Sequence, residues 1–107
     1  TATLTVAQTT GGILVGNPTT TAASYTFPTA AAIDAVFTNS KVNSTFELTV
    51  INLGTSTGLI TMVVGTGITA VGNLVVPITG SAAGVSGAGQ FLFRKTGDAA
   101  YSVYRVA

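Results

Sequence analysis

The stretch GLITMVVGTGITAVGNLVVPITG, from Gly58 to Gly80, runs twenty-three residues without one charged side chain. A soluble domain normally shows water a charge every few positions along its exposed elements. This segment therefore needs another cover: a lipid bilayer, the rest of the same chain, or neighbouring molecules. The bilayer does not fit. A spanning helix requires about 20 predominantly apolar residues, and Gly65, Gly67, Gly72, Pro77 and several threonines break every apolar run here. Short runs rich in β-branched residues and bounded by glycines read as strands instead. Leu59–Val64 is apolar on both faces except at Thr61, Gly65-Thr66-Gly67 makes a tight reversal, and Ile68–Val71 follows. Gly72-Asn73 then leads into Leu74–Ile78, where Pro77 implies a sheet edge or a bulge.

Working outward, the pattern stays β. Upstream, Phe46–Leu53 alternates Phe46, Leu48 and Val50 against Glu47, Thr49 and Ile51. Thr3–Gln8, Ile13–Gly16 and Ala22–Phe27 are further strand expectations, punctuated by Gly11-Gly12 and Asn17-Pro18. One segment differs. In PTAAAIDAVFTNS, Thr29 suits a helix N-cap, and Ile33, Val36 and Phe37 fall at i, i+3, i+4 on one face with Asp34 pointing away. Thr29–Phe37 is therefore predicted as a short amphipathic helix packed on a sheet. Downstream, the small, Gly-rich run Gly80–Gly89 predicts a flexible loop or arm. GQFLFRKTGDAAYSVYRV closes the chain as a hairpin turning at Thr96-Gly97, with Lys95 and Asp98 facing each other across the turn. Some eight strands and one helix predict a single all-β domain spanning residues 1–107, a jelly-roll-like antiparallel β-sandwich.

Composition bounds what such a domain does. Charged residues make up only 7% of the 107-residue chain, against about 25% in an average globular protein. The seven are Asp34, Lys41, Glu47, Arg94, Lys95, Asp98 and Arg105, for a net charge of +1. That balance gives no field to gather nucleic acid. Disordered chains are charged and poorly hydrophobic, the reverse of this one. A folded domain with so little charge repulsion finishes its burial in an assembly. With no Cys, neither disulfides nor thiolate metal sites hold it together. The N-terminus TATLTVAQ lacks the basic start and apolar core of a secretory signal, and Thr1 suggests removal of an initiator Met or processing.

The chemistry of catalysis is missing from the residue list. There is no His, which removes the commonest general base and the commonest metal ligand, and no Cys. Asp34, Glu47 and Asp98 are expected on a helix, a strand and a turn, too scattered for paired-carboxylate work or a calcium cage. Gly65, Gly67 and Gly72 miss the G-x-G-x-x-G spacing, and no Lys follows them. Asn43-Ser44-Thr45 fits the glycosylation sequon without a secretory signal behind it. Arg94, Lys95 and Arg105, with Tyr101 and Tyr104 beside them, offer at most a shallow basic patch. The threonines of TATLT, Pro18–Thr21 and Ser24–Thr26 keep no steady spacing, as a regular ice-binding ladder would require. The expectation is a non-enzyme with no catalytic, cofactor-binding or metal residues and no cofactor.

Three ordered phrases carry a resemblance over nearly the whole chain. They are LTVAQTTGGILVGNPTTTAASYTFPTAAAIDAVF, then STFELTVINLGTSTGLITMVVGTGITAVGN, then FLFRKTGDAAYSVYRV. In this order the chain resembles small virion proteins of tailed bacteriophages, particularly the cement or decoration proteins of cyanophage-like capsids. The resemblance implies a β-sandwich that forms a homotrimer on the outer surface of the head, bound to the major capsid protein. It carries over no binding residues, because the shared phrases are turns and core strands. An alternative reading is a head- or tail-fibre domain that binds a host-surface receptor or glycan, with Tyr25, Tyr101 or Tyr104 around a groove.

Overall fold

The computed structural model describes residues 2–78 and 87–107. In chain order the elements are β1 (Ala2–Thr3), α1 (Val6–Thr10), β2 (Ile13–Gly16), β3 (Ala23–Thr26), α2 (Ala30–Val36), β4 (Thr45–Asn52), β5 (Ile60–Val63), β6 (Ile68–Val71), β7 (Val75–Val76), β8 (Ala88–Gly97) and β9 (Ala100–Arg105). The strands form a four-stranded sheet ordered β1-β3-β5-β7 and a five-stranded sheet ordered β2-β4-β8-β9-β6. Of the expected Gly80–Gly89 loop, residues 80–86 lie outside the described residues, while Ala88 and Gly89 already belong to β8.

The protein is β-rich, but its sheets are mixed, which corrects the expected antiparallel sandwich of jelly-roll type. β1 with β3, β3 with β5, β2 with β4 and β6 with β9 run parallel; β4 with β8, β5 with β7 and β8 with β9 run antiparallel. The reason is the path of the chain. From β1 to β8 each successive strand joins the opposite sheet. In β1–β3, β2–β4 and β3–β5 the chain returns to its first sheet in its original direction, and the intervening strand supplies the long crossover that parallel neighbours need; β7 returns beside β5 in the opposite direction. Side-chain alternation is the same in both kinds of pairing, so the pattern of residues does not distinguish them.

Both sheets turn one face to a shared core. Leu48, Val50, Phe91, Phe93, Tyr101 and Val103 enter it from the five-stranded sheet, and Ile60, Met62 and Val76 from the four-stranded one. Phe27, just after β3, meets Phe93 edge to face at 4.9 Å between centroids, and Phe46 stacks on Phe93 at 4.6 Å. Such pairs add about 0.5–1.5 kcal/mol each beyond their area burial.

Helix α2 begins as expected: the Thr29 hydroxyl accepts from the Ala32 amide, and Ala30 and Ile33 are buried. Its face is rotated from the expected one. Val36 is 59% exposed, whereas Asp34 turns partly inward. Gly67 locks the start of this helix. It holds φ at +85°, and a Cβ there would lie 2.8 Å from the Ala30 Cβ and 2.8 Å from the Ala99 carbonyl. The Thr66 carbonyl beside it accepts from the Ala30 amide.

The expected strand Thr3–Gln8 is corrected. Only Ala2–Thr3 is strand, and Val6–Thr10 is a second short helix. Thr5 caps it, its hydroxyl accepting from the Gln8 amide while the Gln8 side chain accepts from the Thr5 amide. This reciprocal box satisfies two amides that a short helix would otherwise leave orphaned. The closing hairpin is also shifted. Its turn is Asp98-Ala99, not Thr96-Gly97, with a register irregularity between Lys95 and Gly97 and Ala99 at φ +50°. Leu59–Val64 and Leu74–Ile78 shrink to β5 and to two residues of β7, whose edge position with Pro77 directly after it matches the expectation.

Candidate functional site

The features with functional content are two buried polar anchors and two outward sheet faces. The first anchor joins α2 to β8. Lys95 Nζ lies 2.6 Å from Asp34 Oδ1, with both side chains largely withdrawn from water. The Ala99 amide and the Tyr101 hydroxyl also donate to the Asp34 carboxylate, at 3.2 and 3.4 Å, and Lys95 Nζ reaches the Ser40 carbonyl at 3.4 Å. The hydrogen bond from Lys95, then that from Ala99, holds the Asp34 carboxyl below its ordinary value, and the Asp34 carboxylate pushes Lys95 up. Both shifts favour the charged forms. The salt bridge and the bonds from Ala99 and Tyr101 make the pair a clasp between α2 and the β8–β9 hairpin. Beside it lies a cavity of about 70 Å³ lined by Phe37, Ser40, Ser44, Thr45, Phe46 and Tyr101. Small-molecule sites begin at roughly 300 Å³, so this space is too small for one.

The second anchor is Asn52, 1% exposed at the end of β4. Its amide nitrogen donates to the carbonyls of Gly58 at 2.9 Å and Val76 at 3.1 Å, and its oxygen accepts from the Gly54 amide at 2.7 Å. One side chain thereby ties the five-stranded sheet to β7 of the other sheet and closes the loop between them. The signal for it was a polar residue at an inward position of an apolar alternation, Leu48, Val50, Asn52.

The two outward faces differ in charge. None of β1, β3, β5 and β7 contains a charged residue. Register places Thr3, Thr26 and Val63 in one outer row and Ser24, Thr61 and Val75 in the next. The outer face of the five-stranded sheet is more apolar and carries two charges. Ile13 is 67% exposed and Val15 56%, and Ile51, Leu92 and Tyr104 on the same face are half-buried. Glu47 on β4 accepts from the Gln90 side chain at 3.0 Å. Arg94 on β8 donates to the Tyr104 hydroxyl at 3.0 Å and to Asn43 Oδ1 at 3.1 Å. Among the described residues the one ion pair is Lys95–Asp34; Glu47 and Arg94, diagonal to each other across β4 and β8, form no salt bridge.

The residues considered from the sequence are dispersed accordingly. Asp34 is in the clasp, Glu47 on an outer face and Asp98 in the hairpin turn. Lys95 pairs with Asp34 rather than with Asp98, because the turn falls later and Lys95 points inward opposite Tyr101. Arg94 and Lys95, adjacent on one strand, point to opposite faces. Arg105 spans elsewhere, donating to the carbonyls of Asn73 and Val75 and lying 5.4 Å from the Phe91 ring. The three cations therefore do not form one patch. The tyrosines share no groove either: Tyr101 is 2% exposed in the core, Tyr25 lies on the inner side of the four-stranded sheet, and Tyr104 is on the outer face of the other. Asn43 is exposed in a turn at φ +75°. Among the described residues no group of three or more His, Cys, Asp or Glu could hold a metal, and no helix is long and apolar enough to cross a membrane.

No protein family, curated protein or solved structure matches this chain.

Proposed function

We propose that this chain is a structural virion protein, a cement or decoration protein that forms trimers on the outer surface of a tailed-phage head and reinforces the shell by binding the major capsid protein. The observation that carries the reading is the outer face of the five-stranded sheet, where Ile13 and Val15, 67% and 56% exposed, lie on one face with half-buried Ile51, Leu92 and Tyr104. Contiguous exposed apolar surface of this kind marks interaction sites in soluble proteins. The charge-free outer face of the four-stranded sheet supports it from the other side, offering hydroxyls and methyls to a second neighbour. Binding of this sort uses area and shape and calls on no reactive side chain. The resemblance of the three sequence phrases to phage cement proteins agrees with it.

The test is a comparison of phage heads with and without the chain. The reading expects the chain to bind the outer shell as a trimer and heads lacking it to lose resistance to heat or osmotic shock. Unchanged head stability, together with a chain that does not bind shells, contradicts it. The fibre reading gains no support from the tyrosines, which are divided among three surroundings.

A further inference from the structure

The geometry points to the outer face of the five-stranded sheet as the surface that receives a second copy of this chain, with Glu47 of one copy set against Arg94 of the next. This rests on the assembly reading above and names the face and the contacts that reading leaves open. Thr45 pairs with Arg94 and Glu47 with Leu92 across β4 and β8. Glu47 and Arg94 are therefore diagonal neighbours on one face, with Cα atoms about 7–8 Å apart. Around them lie Ile13, Val15, Ile51, Leu92 and Tyr104, all uncharged.

A face holding one acid and one base among uncharged residues, the apolar ones interspersed with Thr45, Thr49, Gln90 and Ser102, is complementary to itself. A two-fold axis in the plane of the interface, passing between the two charges, lays each copy's Glu47 over the other's Arg94. Around a three-fold axis each copy's Glu47 meets the Arg94 of the next in a closed cycle. A partner surface of a single sign would satisfy one of these charges and leave the other dry and unmatched, at a cost of the kind that like-charge contacts impose. A wholly apolar partner would leave both unmatched. Glu47 and Arg94 hydrogen-bond only to neutral groups within the chain and form no salt bridge with each other, so a direct opposite-charge partner is still to be supplied.

The test uses the full chain in solution, with oligomeric state read by light scattering across a concentration series and folding checked by circular dichroism. The wild type associates. Glu47→Arg and Arg94→Glu, each alone, place like charges together and weaken association by more than about tenfold. The double variant E47R/R94E restores it, whereas an equimolar mixture of the two single variants restores every contact of a two-fold pair but only two of the three contacts of a three-fold ring. A wild type that associates but is unaffected by either charge reversal and by Val15→Asp overturns this face as the interface and leaves the trimer reading standing. A wild type that stays monomeric at every concentration overturns both this inference and the trimer.

Discussion

Replacing Asn52 by alanine removes a side chain that satisfies three backbone groups in a dry place. The Gly58 carbonyl loses its donor and the Gly54 amide its acceptor, both in buried residues, while the Val76 carbonyl loses one donor and keeps the Ile60 amide across β5 and β7. An unsatisfied buried polar group costs about 1–3 kcal/mol. Two of them, partly relieved by relaxation or by an entering water, together with the weakened Val76 carbonyl, place the loss at roughly 2–4 kcal/mol. That is a large fraction of the ~5–15 kcal/mol that holds a domain of this size. Asn52→Asp is the sharper variant, because it keeps the shape and the bond from the Gly54 amide. Its carboxylate cannot donate to the two carbonyls and places an unpaired charge in the interior, so it destabilises as well. The assay is urea denaturation followed by circular dichroism, taking the free energy from the midpoint and slope. A loss below about 1 kcal/mol for Asn52→Ala, with the slope unchanged, would refute the claim that this residue staples the two sheets.

Three other outcomes follow. Thr5→Ala breaks the capping box of α1 and costs about 0.5–2 kcal/mol, read by the same denaturation; an unchanged midpoint contradicts the capping assignment. Phe93→Ala removes the ring between Phe27 and Phe46 and costs about 3–5 kcal/mol, whereas a loss under about 1 kcal/mol would mean that the aromatic cluster is not central to the core. The Lys95–Asp34 clasp sets a pH window. Asp34 titrates lower in the folded chain, so its contribution is present above its ordinary value of 3.8 and is lost as pH falls through the depressed folded value. Lys95 titrates higher, so its contribution is full below its ordinary value of 10.5 and is lost as pH rises through the raised folded value. Asp34→Asn should flatten both edges of the stability–pH profile, and a variant profile identical to the wild type's contradicts the clasp.

How much of this was legible in the sequence depends on how local each cause is. β2 and β6 fall on the expected residues, β4 lies within one residue of its expected ends, and Thr29 caps α2, because alternation and capping are properties of neighbouring residues. The sequence of α1 was readable too, as T-x-x-Q at Thr5–Gln8, but the β-branched composition around it suggested a strand, and the box outweighs propensity only once both hydrogen bonds form. Parallel pairing was not legible, since it arises from the chain crossing between sheets rather than from any residue. The partner of Lys95 was hidden for the same reason. Asp34 lies 61 positions upstream and reaches Lys95 only because α2 packs over that end of β8 and β9. The uncharged stretch from Gly58 divides between two sheets. Ile60, Met62 and Val76 enter the core, while Val63 and Val71 remain 39% and 45% exposed. The chain's own packing thus covers one side of that segment and leaves the other open.

The most direct measurement is electron cryo-microscopy of intact phage particles that carry this chain. The account predicts density for it on the outer shell, in groups of three, with the Ile13 and Val15 face buried against a neighbour. Density that leaves this face open to solvent, or particles whose shell lacks the chain altogether, would contradict it.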